Sequence, residues 1–465
     1  MLVLAAVIVA VVPALSQILW HGQLFIARAA FPLDLEWMEG GMLLHSQRIA
    51  AGQGIYVEPS LEFIPFLYTP LYQALLALLS FVFPLGYTLG RVVTILAFTF
   101  ALIVLVSLAA LEEERRWQRI LLAFVGLLGA AAVAGSYAFT GAFYDLVRSD
   151  SLLLFFEVLA VAYAYRGEGW KSAVFSGMLI ALGFFTKQTA SILGIGIGLG
   201  LLIVRFRRGL YYGFAATIVL VAGLLFLVKT SDGWFWTYIF KLHQSHPFRR
   251  NAAFEHAPSQ TWHHAWPVFV ALAIATIALA LGRRLRRADV ILWTTAIAGE
   301  VSAIVGFGTM WAFSNAFIPA VFFPALAAAV LTSRLVGAAV STQKWGTSLC
   351  ALFAVALLGY QSFRIPHPPW KDAVPSSQDR LAAGKLLTTL KDLPSPLFIP
   401  FHPYYAVLAG KKPYVHRMGV RDVEGALGRP KGLDEALVNQ QFASVVLDWK
   451  SLPGEWPHLN TRYHV

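Results

Sequence analysis

The chain has 465 residues, 58% of them hydrophobic and only 13% charged, with a formal net charge of +11. Its mean hydropathy is +0.64, which excludes a soluble globular protein, and its repeated apolar runs describe a polytopic membrane protein. The positive charge therefore reports first on orientation and makes no case for nucleic-acid binding. The single cysteine, Cys350, lies inside an apolar run, so there is neither a disulfide framework nor a cysteine metal site.

Residues 2–20 are almost continuously apolar. Small residues around Pro13 to Ser16 would suit a signal peptidase, but no Lys or Arg precedes the run, so it reads as a first spanning helix. An acidic stretch follows from Asp34 to Tyr56, DLEWMEGGMLLHSQRIAAGQGIY, with Asp34, Glu36 and Glu39 close together. Asp34 is placed to cap a helix starting at Leu35. At helical spacing Met38, Met42, His45 and Ile49 form an apolar stripe, and Glu36, Glu39, Gly40, Ser46 and Gln47 fall opposite it. The expectation is a helix along the membrane surface, its carboxylates turned to water or a cleft, ended by Gly52 and Gly54.

The next apolar run, 68–86, is bracketed by Pro70, Pro84 and Gly86 and is short for a span. Four later connectors are rich in Arg or Lys: Glu112–Arg119, Arg205–Arg208, Arg283–Arg287 and Arg334–Lys344. The positive-inside rule puts all four in the cytoplasm. Counting back, a non-crossing 68–86 puts the N-terminus inside and the acidic loop outside; a crossing 68–86 reverses this. The first arrangement is preferred, with the segment's backbone ends covered by protein or a wet cavity. Crossings are then expected at 89–110, 120–138, 151–165, 172–186, 189–204, 210–228, 267–282, 290–307, 311–333 and 346–363, for about eleven in all. Outer loops fall at 21–88, 139–150 and 229–266. From Arg364 the composition changes: prolines make a linker, Ser377–Lys391 and Leu433–Gln441 look helical, and Leu397–Phe401 and Ala443–Asp448 look like strands. The architecture expected is mainly α, a transmembrane helical bundle over 1–363 with a small extracytoplasmic α/β domain over 364–465.

This topology gathers three polar loops on one membrane face. The first carries the carboxylates, the second has Asp145, Arg148 and Asp150, and the third is aromatic and cationic, with His243, His246, Arg249 and Arg250. Lys187 joins them from a helix end. Such a set suits a reaction at an anionic lipid headgroup: a carboxylate takes a proton from a hydroxyl, and Arg and Lys hold a departing phosphate. Each group also has a structural reading. Asp145, Arg148 and Asp150 could pair among themselves, Arg249 and Arg250 could meet lipid headgroups, and Lys187 could snorkel. His243 and His246 share a helical face, but no third ligand is fixed by spacing, so no metal site is assigned. Glu300 lies inside an expected span, where a carboxylate is functional by default.

The residues Glu36-Trp37-Met38-Glu39-Gly40-Gly41, Gly52, Tyr56 and Tyr68-Thr69-Pro70-Leu71-Tyr72 resemble the first outer loop of the C-type (GT-C) glycosyltransferases. These polytopic enzymes use polyprenyl-phosphate sugars and include protein O-mannosyltransferases and aminoarabinose transferases. Tyr144-Asp145 with Arg148 to Ser151, Thr186-Lys187-Gln188, and Asn315 with Pro319 resemble later motifs of the same superfamily. The resemblance covers roughly residues 1–330 as pattern. It implies a membrane glycosyltransferase of the bacterial inner membrane, with a first-loop carboxylate as base, an acceptor hydroxyl on a glycan, lipid or protein, and departure of the lipid phosphate with inversion. Relatives often carry Asp-Glu where this chain has Met38-Glu39, so Glu39 is the expected base, with Glu36 and Asp34 as rivals. Lys187, Arg148, Arg249 and Arg250 are expected on the donor phosphate. Asp145, Asp150, Tyr68, Tyr72, His243 and His246 are expected to bind substrate. No cofactor is fixed, and a divalent metal is compatible with the set. The competing readings are a secondary transporter, which would centre on Glu300, and a non-catalytic envelope assembly protein.

Overall fold

The computed structural model describes residues 2–448, 456 and 458–463. Its helices follow in order: α1 (Leu2–Ala29), α2 (Glu39–Ala50), α3 (Leu71–Leu79), α4 (Tyr87–Ala110), α5 (Arg116–Gly135), α6 (Asp150–Arg166), α7 (Trp170–Thr186), α8 (Ala190–Val204) and α9 (Phe206–Thr230). Short α and π turns between Trp234 and His256 lead into α10 (Ala257–Leu281), α11 (Asp289–Gly308), α12 (Ile318–Thr342) and α13 (Trp345–Arg364). Eight of the described helices are long and apolar enough to cross a membrane. With the shorter α6, α7 and α8 they occupy the stretches read as spans. The chain is a multi-pass membrane protein, mainly α. At its axis lies α12, of whose most apolar stretch 89% is buried, packed against α5, α10, α11 and α13. Small residues let these helices close up: Gly129 faces Ala329, and Gly196 and Gly200 face Ala298 and Thr294.

The segment 68–86 does not cross. α3 has nine residues, about 13 Å of helix against a hydrocarbon core of about 30 Å. The basic connectors share one end of the bundle, where Glu112 binds Arg166 at 3.1 Å and Arg286 at 2.7 Å. Arg334, held by Asp289, completes that network. The three polar loops share the opposite end.

Three expectations change. First, α1 runs to Ala29, so the residues 21–29 belong to a helix and not to a loop. Second, no helix begins at Leu35. α2 starts at Glu39 because Glu39 Oε2 turns back to accept the Leu35 N–H at 2.6 Å, which holds 35–38 as a turn. Asp34 still caps α2, from outside, by accepting the Gly40 N–H at 2.8 Å. The first two turns of α2 are buried on all sides, so it does not lie on the surface with an acidic face to water. Gly40 and Gly41 permit this: a Cβ on Gly41 would sit 2.2 Å from the Phe66 ring, and one on Gly40 would sit 2.7 Å from Tyr404 Cβ.

Third, the segment after Arg364 packs its apolar residues on one another and also on the outer loops, so its core is continuous with theirs. It forms α14 (Ser377–Asp392), a two-residue parallel pair β1 (Leu397–Phe398) with β2 (Ser444–Val445), α15 (Tyr404–Leu408), α16 (Arg417–Leu427) and α17 (Leu433–Val438). Leu397, Ile399 and Tyr404 are buried with Phe31, Met42 and Phe66 of the first loop. Phe398, Val420 and Leu433 are buried with Ile55, Ile64 and Tyr238. The residues 364–448 are thus a cover folded onto the first and third loops.

One ion pair fixes the loop end. Glu39 and Arg91, both fully buried, meet at 2.7 Å. Arg91 also donates to the carbonyls of Phe31 at 2.6 Å and Leu33 at 2.7 Å, and Glu39 Oε1 accepts the Val147 N–H at 2.7 Å. Arg91→Ala would leave a buried carboxylate without its cation, at a cost of about 3–5 kcal/mol. We expect a markedly lower melting temperature in detergent for Arg91→Ala, measured by thermal unfolding against wild type.

Candidate active site

The polar loops and the cover enclose a cavity of about 700 Å3. Its wall takes Glu36 and Trp37 from the first loop, Tyr68 from the turn before α3, Arg148 from the second loop, and Asp150 and Glu157 from one face of α6. Lys187 and Gln188 come from the α7–α8 turn, His243 and His246 from the third loop, Trp311 and Asn315 from the strap before α12, and Arg421 and Asp422 from α16.

Glu36 is the first-loop carboxylate that faces this space. Its Oε2 accepts from Arg148 Nη1 at 3.1 Å and from the Met38 N–H at 3.3 Å. Its Oε1 takes no hydrogen bond among the described residues. Burial pushes the Glu36 carboxyl up to about 7, against the pull of the Arg148 charge, with Glu39 and Asp34 adding to the rise. Arg148 Nη2 donates to Tyr68 Oη at 2.7 Å, and its guanidinium lies over the Tyr68 and Phe143 rings. Across the cavity Lys187 Nζ donates to Asp150 Oδ1 at 2.7 Å, and Asn315 Nδ2 donates to the same oxygen at 2.9 Å. Asp150 Oδ2 is buried with no partner among the described residues. A carboxylate with a free oxygen, two cations and an amide therefore converge on one apolar-walled pocket.

Of the residues expected from the sequence, the fold brings Glu36, Tyr68, Arg148, Asp150, Lys187, His243 and His246 to the cavity. It does not bring the others. Glu39 is locked behind the wall with both oxygens occupied. Asp34 lies behind Glu36, bonded to His402. Asp145 pairs with Arg28 at 2.7 Å and accepts from Tyr137 at 2.9 Å, so it ties the second loop to α1. Tyr72 is buried under α4 with its hydroxyl on the Gly90 carbonyl. Arg249 and Arg250 lie exposed away from the pocket, where the Arg249 N–H closes onto the Gly308 carbonyl at 2.7 Å.

Burial holds His243 and His246 below the ordinary imidazole value. Among the described residues no group of three or more His, Cys, Asp or Glu is placed to hold a metal. Asp422, pushed up to about 8 by burial, lies 3.8 Å from His246. Residues that spacing did not flag are Glu157, Arg91, Arg28, Trp311, Arg421 and Asp422. Glu157 and Arg91 did carry a signal: each is a lone charge inside an apolar run. The cover residues carried none, because nothing local ties α16 to a cavity formed by loops hundreds of residues earlier.

No protein-family model matches the chain, and no curated protein matches it. Among solved structures it superposes on ArnT from Cupriavidus metallidurans bound to undecaprenyl phosphate, with TM-score 0.56 and 14% identity, over 93% of this chain and 91% of that one. The apo state of the same protein gives TM-score 0.56 and 15% identity over 92% and 91%. The chain has the ArnT fold. The likeness in fold covers more of the chain than the residues 1–330 over which the sequence pattern was read.

Burial and the Arg148 charge pull the Glu36 carboxyl in opposite directions, so removing the charge should move it. Arg148→Gln deletes the charge that favours the carboxylate, and the Glu36 titration should shift to higher pH than wild type. Infrared difference titration of Glu-labelled protein reads this directly; an unchanged midpoint would mean the two groups are not coupled.

Proposed function

We propose that the chain is an integral membrane glycosyltransferase that moves a sugar from a polyprenyl-phosphate donor to an acceptor hydroxyl on the extracytoplasmic face. The observation that carries this reading is Glu36, a half-buried carboxylate with one free oxygen, bonded to Arg148 and sharing with Lys187 and Asn315 a pocket at one end of a membrane bundle with the ArnT fold. Undecaprenyl phosphate bound to ArnT supports a donor of that lipid class.

Glu36 Oε1 accepts the proton of the acceptor hydroxyl as its oxygen attacks the anomeric carbon. The bond from that carbon to the phosphate oxygen breaks, and the polyprenyl phosphate leaves with the electron pair. Lys187 and Arg148 neutralise its growing charge, and Asn315 donates to a phosphate oxygen. A single displacement from the opposite face inverts the anomeric centre. Arg148 is bonded to Glu36; turning it to the phosphate leaves the carboxylate freer to take a proton. Tyr68, Trp37 and Trp311 offer aromatic faces to the sugar. The Arg- and Lys-rich connectors support a cytoplasmic N-terminus and an extracytoplasmic cover, and the membrane we infer is a bacterial inner membrane. The acceptor remains a class, a hydroxyl on a glycan, lipid or protein. The transporter reading rested on Glu300, which does not line the cavity.

Transfer of labelled sugar from a panel of polyprenyl-phosphate donors tests this in membranes. Wild type should transfer from at least one donor, and Glu36→Gln should lose about 10²–10⁴-fold in rate at equal protein level. Lys187→Met should weaken transfer through the donor step. Undiminished transfer by Glu36→Gln would remove the assigned base, and no transfer by wild type from any donor would contradict the enzyme.

A further inference from the structure

The cover grips the loop that presents Glu36 from behind. His402 Nδ1 lies 2.8 Å from Asp34 Oδ2, and its Nε2 lies 2.9 Å from Asp448 Oδ2. Both ring nitrogens thus face carboxylate oxygens, an arrangement completed only when both carry protons. The Tyr405 ring stacks on His402 with centroids 4.7 Å apart, and its hydroxyl accepts the Asp34 N–H at 3.3 Å. The second Asp34 oxygen accepts the Gly40 N–H at the first turn of α2. On the other side of Glu36, His416 Nε2 lies 3.2 Å from the Trp37 carbonyl oxygen. The loop from Asp34 to Trp37 is therefore held by the cover on both sides of Glu36. The Glu36 carboxylate itself accepts from Arg148 and from the Met38 N–H.

We propose that His402 is a positioning residue for sugar transfer: clamped between Asp34 and Asp448, it fixes the loop that aims Glu36 into the cavity and makes the chemistry depend on the docked cover. This rests on Glu36 as the base. His402 does not line the cavity and acts through Asp34. The local geometry assigns the cover a part in catalysis, beyond closing the cavity.

The groups that face His402 are Asp34, Asp448, Tyr405 and His416, with Glu39 acting on Asp34. Burial alone would lower the His402 imidazole, but the Asp34 hydrogen bond and charge, then those of Asp448, outweigh it and raise it. Burial raises Asp34 against the pull of His402. Burial pushes His416 down to about 3 and Tyr405 well up, so neither carries charge near neutrality. The charged clamp is complete above the raised Asp34 value and is lost as pH rises through the raised His402 value. Activity should therefore fall on the alkaline side as His402 loses its proton.

The test uses full-length protein in detergent or proteoliposomes with a donor that wild type accepts, and reads kcat, donor KM and the pH profile. His402→Ala should lower kcat about 10-fold or more with donor KM unchanged. His402→Gln, which keeps the shape without the titration, should flatten the alkaline limb. Adding Asp34→Asn to His402→Ala should cost little more, because the two act through one contact. Wild-type kcat and an intact alkaline limb in the His402 variants would overturn the proposal, as would a rise in KM alone. Where His402→Ala yields no folded protein, the alkaline limb of His402→Gln decides. Glu36→Gln runs in parallel: full transfer there removes the base assignment itself, whereas loss there with wild-type behaviour in both His402 variants overturns the role of His402 only.

Discussion

A buried ion pair that never touches the cavity holds the cavity together. Arg91, at the start of α4, binds Glu39 and the carbonyls of Phe31 and Leu33. Glu39 in turn accepts the N–H groups of Leu35 and Val147. Val147 precedes Arg148, and Leu35 precedes Glu36, so one carboxylate sets the backbone beside both members of the Glu36–Arg148 pair. Two charges taken out of water are tolerated only when their remaining hydrogen-bonding capacity is filled. Here it is filled by loop backbone, which turns an electrostatic demand into a fixed loop geometry.

The three first-loop carboxylates show how environment divides one chemistry into three tasks. Asp34 caps α2 and receives the cover. Glu39 is saturated by a guanidinium and backbone N–H groups. Glu36 keeps an oxygen free, and burial brings it near the value a general base needs at neutral pH. The second loop repeats the division on a smaller scale. Asp145 ties a loop to α1 through Arg28, while Asp150 faces the cavity with Lys187.

Much of the fold was legible because membrane physics is local. Length, hydropathy and Arg/Lys placement located the spanning stretches, the non-crossing 68–86 and the common end of the polar loops. Arg148, Asp150, Lys187, His243 and His246 followed from loop position, and Tyr68 from the family resemblance. The choice among Asp34, Glu36 and Glu39 was not legible, because it depends on Arg91, 52 residues from Glu39 in the chain. Periodicity assumed a helix from Leu35 and so put Glu36 and Glu39 on one face, whereas the turn at 35–38 separates them. Arg249 and Arg250 looked like phosphate ligands by charge alone, but both are exposed and neither lines the cavity, and the Arg249 N–H is bonded to the Gly308 carbonyl. The cover has strand and helix signals, yet its apolar faces are buried against Phe66, Ile64 and Tyr238, a partnership no sequence window reveals.

Glu36 and Glu39, three residues apart, hold separate tasks: one faces the cavity and the other holds the loop end together. Melting temperature and sugar-transfer rate, measured together on Glu36→Gln and Glu39→Gln, test this division most directly. Glu36→Gln should melt as wild type does and lose transfer, while Glu39→Gln should melt lower because Arg91 is left buried without its counter-charge. A Glu39→Gln protein that melts normally and has lost transfer, beside an active Glu36→Gln, would contradict it.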